Sequence, residues 1–553
     1  MHATPHPSPA LDPSTAARRD TRWLLALLVV VGLLLRLPLM GRSVWFDEAC
    51  MSNQRIGTWA QLLATIYGDI HPPLYVTFMH CWNSVFGDGE WSMRLPPLFA
   101  GLLSIPLSFW TGERMVGRRA ALWAAVLLTV SPVHVWYSAE ARLYAPMLAS
   151  TLLTVGTCER LIDPARPRQT WLWWLHAANL VVMLTLHYYL AVYVVLLAAI
   201  APLLRGFTGA VRRLMIWHGV GILLLGAFVL CKRGIDEFPT SQEYLRSMTF
   251  GELYEFVFGW CWMGNTLPAA LTWMDDVAVY VGHALGVLLM LGGLIDIWRS
   301  RRDRPAGILV PACLLAIPLF LLVASAFGFG RIYTERSALP ALPFVMLLAG
   351  KGLTSLPMTV MRWTSLLLLV LTTAALIALF RFQADRWTVY KPNPDWRAAA
   401  AYLSREVDHG GAGRPVFTPT PNPRPLSYYD HRIQDEKNLL PGTDPMQIGA
   451  KVRHRLGHSL GDYAERVFRD FCDGNAALLR AASMRVYRTA SDPAAMRLDE
   501  RMRDDICYLV RDHWHPHESV DGTLEALLRH PRIEVLERHP FTGITVHKVR
   551  IRP

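Results

Sequence analysis

The chain has 553 residues, 52% of them hydrophobic and 18% charged, and a net charge of +11. Soluble domains average about 25% charged residues, so this balance argues against an ordinary soluble protein. The Lys and Arg residues sit in short clusters between apolar runs, as loop charges that orient a membrane protein do, and form no stripe suited to nucleic acid.

In chain order, residues 1–22 are a polar tail, Pro-rich over its first twenty residues. The first apolar run, 23–41, ends in Arg36-Leu37-Pro38 without a small-residue cleavage site and reads as an uncleaved span. Runs of membrane-crossing length, about 17–25 residues, recur eleven times. They lie near 23–41, 94–112, 119–137, 141–159, 171–187, 188–205, 213–231, 276–297, 306–327, 338–356 and 363–381. Residues 171–205 form almost one run, so a single hinge at His187 would change the count by one. Alternate loops are richer in Arg and Lys, among them those holding Arg114, Arg118 and Arg119, and Arg299 to Arg304. These loops are therefore expected in the cytoplasm, with the N-terminus inside and the C-terminal tail outside.

Between the first two runs, loop 42–93 carries Trp45-Phe46-Asp47-Glu48-Ala49. Adjacent acids at the lip of a membrane helix are candidates for function by default. From a Thr58 N-cap, the residues Trp59, Leu62, Leu63, Ile66 and Tyr67 follow at helical spacing and predict a short helix in the interface plane. Pro72 and Pro73 end it, and a second short helix is expected from Leu74 to Phe86. Loop 232–275 is long and charged, which suits either a lid or a solvated connector. Past Phe380 no run reaches membrane length. Residues 382–553 read as a small outer α/β domain, with a helix from Asp395-Trp396-Arg397 to Leu403 and another at 522–529. Strands are expected at 415–418, 506–510, 533–536 and 543–549. This domain shows no catalytic constellation.

Trp45 to Ala49, His71-Pro72-Pro73-Leu74-Tyr75 and Trp91-Ser92-Met93-Arg94-Leu95-Pro96, in that order, resemble the first outer loop of the polytopic GT-C glycosyltransferases. The resemblance is closest to the bacterial family 39 and 83 enzymes, relatives of protein O-mannosyltransferases and of the lipid A aminoarabinose transferase. Trp136-Tyr137-Ser138-Ala139-Glu140-Ala141-Arg142-Leu143-Tyr144-Ala145 is similar to the second outer signature, and Glu335-Arg336-Ser337-Ala338-Leu339-Pro340 to the late one. The motifs span roughly the first two thirds of the chain. The fold class implied is a polytopic α-helical membrane protein of GT-C type over 23–381, bearing the C-terminal outer domain.

The resemblance implies transfer of a sugar from a polyprenyl-phosphate donor to a glycan, lipid or protein acceptor at the outer face of the cytoplasmic membrane. Such a reaction needs an acid near the nucleophile and cations on the leaving phosphate. Asp47 matches the family's catalytic aspartate and Glu48 its second acid. His71, Arg94, Arg142, Tyr144 and Arg336 are the candidates for the donor phosphate, arginine because its planar fork binds two oxygens. His71 suits phosphate or, as neutral imidazole, a divalent metal. Aminoarabinose-type relatives carry a glutamate–lysine pair where this chain has Ile70-His71, which leaves donor sugar and metal open. Snorkelling or ion pairing with Glu140 or Glu335 is the structural alternative for the arginines. Two rival functions stay open: a lipid-linked sugar ligase with a diphosphate donor, and a lipid or polysaccharide transporter. Nucleotide-driven chemistry has no support, since neither GxxxxGK(S/T) nor a strand-placed GxGxxG occurs. The eight cysteines show no CxxC or Cys/His metal spacing. Cys50 and Cys81 read as free thiols, while a Cys472–Cys507 bond is left open.

Overall fold

Each of the eleven apolar runs folds as helix, since a backbone in hydrocarbon must satisfy its own hydrogen bonds. The helices are Pro13–Met40, Glu90–Met115, Arg118–Val130 followed by Pro132–Tyr137, Tyr144–Ile162, Thr170–Leu186, Leu190–Arg205, Gly209–Lys232, Thr272–Arg299, Leu309–Ala326, Leu342–Ser355 and Met358–Arg381. The run 171–205 is split at His187, whose backbone is extended (φ −157°, ψ 136°) between two helices. This computed structural model describes residues 13–52, 62, 66, 71–165, 169–232, 247–263, 272–328, 332–381, 394–406, 408–409, 415–418, 424–430, 433–435, 484–488, 506–512, 528 and 533–551. Most of the expected 58–67 and 522–529 helices, much of loop 232–275, and Cys472 lie outside those residues. Among the described residues, five segments are long and apolar enough to cross a membrane alone: Asp20–Met40, Glu90–Met115, Gly209–Leu230, Pro305–Ala326 and Glu335–Ser355.

The Leu342–Ser355 helix runs through the middle of the bundle and is buried along almost its whole length. Small residues let its neighbours approach. A methyl group added at Gly352 would stand 1.8 Å from the Leu289 carbonyl oxygen, and one at Gly350 would stand 2.4 Å from that of Ala120. This is close backbone packing of the kind that joins helices in lipid, where apolar area alone offers no drive. Pro343 occupies the first turn, where a missing N–H costs nothing. The preceding 3₁₀ turn, Glu335–Ala341, therefore leaves a fixed helix end, and it carries Arg336. Gly101 plays a similar part in the Glu90–Met115 helix: an added methyl would lie 2.2 Å from Ser138 Oγ, so the second signature packs directly on that helix.

The C-terminal region forms a six-stranded mixed sheet ordered β2-β3-β1-β4-β6-β5. Its strands are β1 Pro415–Thr418, β2 Ile433–Asp435, β3 Met484–Arg488, β4 Ile506–Asp512, β5 Ile533–Phe541 and β6 Ile544–Ile551. The first four pair in parallel, while β4, β6 and β5 are antiparallel. Strands β2 and β3 went unrecognised in the sequence, β2 being only three residues long. Helix Trp396–Glu406 covers the sheet with Trp396, Ala399, Ala400 and Leu403 buried.

Candidate active site

Just past the first long helix, Phe46–Ala49 makes a single helical turn, with Trp45 entering it in extended conformation. Successive residues of a helix diverge by about 100°, so Asp47 and Glu48 face different partners. Glu48 turns inward and is 1% exposed. Arg94 grips it with both prongs, Nε on Oε1 at 2.8 Å and Nη2 on Oε2 at 2.5 Å. The backbone N–H of Ala141 donates to Oε1 at 2.9 Å, and that of Trp45 to Oε2 at 3.4 Å. The remaining Arg94 donors reach the carbonyls of Met40, Arg42 and Ser43. Burial alone would raise the Glu48 carboxyl, but the charge and hydrogen bonds of Arg94 outweigh it and hold the group below the usual carboxylate range.

Asp47 faces outward. Arg336 Nη1 donates to Asp47 Oδ2 at 2.7 Å across 289 positions of sequence, and both side chains retain 14% exposure. The Arg336 guanidinium lies 5.7 Å from the Tyr144 ring centroid and 5.9 Å from that of Trp45. Arg142 donates to the Asp47 backbone carbonyl at 3.4 Å. Three segments, around residues 45, 142 and 336, thus meet at Asp47, Arg336 on its carboxylate and Arg142 on its backbone carbonyl.

The sequence candidates therefore sort into groups. Asp47, Arg142, Tyr144 and Arg336 come together at the partly open face. Glu48 and Arg94, expected as second acid and phosphate ligand, lie buried against each other and against backbone. His71 stands beside His187, ring centroids 5.5 Å apart. His187 Nδ1 accepts from the Tyr189 backbone N–H at 3.1 Å, which in the neutral ring leaves the proton on Nε2. Tyr189 in turn donates to the Ile332 carbonyl at 2.6 Å, linking this rim to the segment before Arg336.

Two residues at this face were missed. Tyr75 is 3% exposed, and among the described residues its hydroxyl has no hydrogen-bond partner. Burial pushes that hydroxyl above its ordinary range, partly offset by Arg142. Its signal was an aromatic hydroxyl in the first turn of the helix that follows His71-Pro72-Pro73. For His187 the signal was a histidine in the middle of the long apolar run 171–205. Among the described residues no three or more His, Cys, Asp or Glu side chains are grouped to hold a metal ion. Cys50 and Cys81 are free thiols.

The bundle is similar in fold to ArnT from Cupriavidus metallidurans in the apo state, with a TM-score of 0.51 and 14% identity over 97% of this chain and 98% of that one. The chain shares the fold of that ArnT. Residues 70–231 match the family model described as dolichyl-phosphate-mannose-protein mannosyltransferase. Also similar are the undecaprenyl phosphate-bound form of the same ArnT (TM-score 0.46, 16% identity, 96% and 98% coverage) and archaeal oligosaccharyltransferase AglB from Archaeoglobus fulgidus, in complex with an inhibitory peptide and a dolichol-phosphate (0.43, 11%, 74% and 64%). No curated protein sequence matches the chain.

Proposed function

We propose that this protein is a GT-C glycosyltransferase of the cytoplasmic membrane, taking a sugar from a polyprenyl-phosphate donor and passing it to an acceptor at the outer face. The observation that carries the reading is the partly open Asp47–Arg336 pair, with Arg142 on the Asp47 carbonyl and the Tyr144 ring beside Arg336. The matched family's mannosyltransferase description and the undecaprenyl phosphate in the ArnT complex support the donor class. In this scheme an acceptor oxygen attacks the anomeric carbon as the bond from that carbon to the phosphate oxygen breaks. The lipid phosphate leaves with the electron pair, and the sugar inverts. Asp47 takes the proton of a hydroxyl acceptor, or orients one already ionised. Arg142 and Arg336 offset charge on the departing phosphate, with His71 donating from the rim. Glu48 and Arg94 position the loop and touch no substrate. The eleven helical runs would leave the N-terminus inside and residues 382–553 outside, as the arginine distribution implies.

The test is incubation of the purified full chain with labelled polyprenyl-phosphate sugars and envelope lipid, glycan or protein acceptors. Release of lipid phosphate coupled to a labelled acceptor is expected. If the wild-type protein releases no more label than the Asp47→Asn variant across the donor panel, the transferase reading falls.

A further inference from the structure

The sheet domain does more than lie beside the bundle; it is bolted to the strand of backbone that leads into Asp47. Residues 40–44 are held from two sides. On the inner side the carbonyls of Met40, Arg42 and Ser43 accept from Arg94, which also holds Glu48. On the outer side the partners are Arg397 and Tyr429. Arg397 Nη2 donates to the Gly41 carbonyl at 2.9 Å, and the Arg397 backbone N–H donates to Ser43 Oγ at 3.2 Å. The Tyr429 hydroxyl accepts the Val44 backbone N–H at 2.6 Å and donates to the Glu90 carboxylate. Glu90 also pairs with Arg397, so one carboxylate joins both braces. Tyr428 adds a hydrogen bond to the Asp88 carbonyl at 2.7 Å.

The local sequence explains why these side chains are in place. Asp395 caps the helix by accepting from the Ala398 N–H at 3.0 Å, Trp396 anchors in the sheet domain's core, and Arg397 is left facing the bundle. Tyr429 packs against both cores, its ring belonging to each. Val44 is fully buried, so its N–H has no water to turn to if the Tyr429 hydroxyl is removed.

We propose that Arg397 and Tyr429 are positioning residues of the active site, through which the outer domain sets the path of residues 41–44 and hence the placement of Asp47. The path is short. Tyr429 holds Val44, Val44 adjoins Trp45, and Trp45 both opens the Asp47 turn and donates to Glu48. The role of Asp47 rests on the proposed transferase activity; the hold on its loop does not.

The test uses Tyr429→Phe and Arg397→Gln in the full chain, with two readouts. Tyr429→Phe keeps the ring that packs between the cores, so folding is preserved while the hydroxyl is lost. Backbone hydrogen exchange over residues 41–52, measured without substrate, should quicken by roughly tenfold in both variants while the sheet domain's exchange stays unchanged. Turnover should fall by about tenfold to a hundredfold with KM for the lipid donor within about twofold, because misplacing a group by about 1 Å costs rate rather than binding. Arg397→Lys should recover part of the loss by restoring a cation to Glu90. If exchange over 41–52 matches wild type in both variants, the brace is refuted. If exchange quickens yet the folded fraction turns over at the wild-type rate, the loop is held but its placement does not matter to Asp47, and the positioning role is refuted. Absence of transfer in the wild type would overturn the function above and leave the exchange result standing.

Discussion

Asp47 and Glu48 are neighbours, and each is ion-paired to an arginine, yet the Asp47–Arg336 pair keeps 14% exposure on both partners while Glu48–Arg94 keeps 1%. The buried pair satisfies its oxygens and guanidinium donors with each other and with backbone of two segments, residues 40–45 and Ala141. It behaves as a rivet. In the open pair one arginine nitrogen donates to one carboxylate oxygen at 2.7 Å, and both side chains keep contact with solvent. Identical chemistry at adjacent positions thus serves architecture in one case and, in our reading, catalysis in the other. Desolvation makes the difference: an ion pair out of water is costly to break from one side, whereas one at the surface can exchange partners.

The largest effect should come from the open pair. Asp47→Asn preserves shape and removes the charge, so transfer should fall by about three orders of magnitude. Membrane abundance and thermal stability should stay as in wild type. Normal turnover in that variant would erase the contrast between the two acids.

Breaking the buried pair should do the reverse. Glu48→Gln leaves Arg94 charged and partly unpaired, at a cost of about 3–5 kcal/mol, seen as lower folded yield and melting temperature. Adding Arg94→Met should recover much of that stability, since no lone charge is then buried. A single Glu48→Gln variant as stable as wild type would show that the pair is no rivet.

Arg336→Lys sharpens the comparison further. The charge opposite Asp47 survives while the planar fork is lost, so kcat/KM should drop by roughly tenfold, about 1.4 kcal/mol, without loss of folded protein. An unchanged kcat/KM would mean that charge alone suffices.

The smallest effect is on pH. Because the Glu48 carboxyl lies below its ordinary value, its contribution to stability is complete above the unfolded glutamate value of about 4.3 and disappears as pH falls through the lower folded value. Wild type and the Glu48→Gln/Arg94→Met double variant should therefore show the same pH dependence from pH 8 to pH 5. They should diverge only under stronger acid. Divergence near neutrality in thermal melts would place the Glu48 titration elsewhere.

The sequence by itself determined the helices of the apolar runs, the split at His187 and four of the six strands, because apolar run length, alternation and interruption are local properties that neighbours along the chain decide. It also determined which residues were candidates: an acid pair at a helix lip, arginines at outer helix ends, an Asp-Trp-Arg opening a helix. Partners were another matter. That Arg336 rather than Arg94 meets Asp47, that Glu48 turns inward, and that Tyr429 reaches Val44 across 385 positions were decided by packing. The physical reason is that these pairings join segments far apart in sequence, and which segments meet depends on packing, as where Gly101, Gly350 and Gly352 let helices approach closely. A shift of one helical residue turns a side chain by about 100°, enough to exchange an open acid for a buried one.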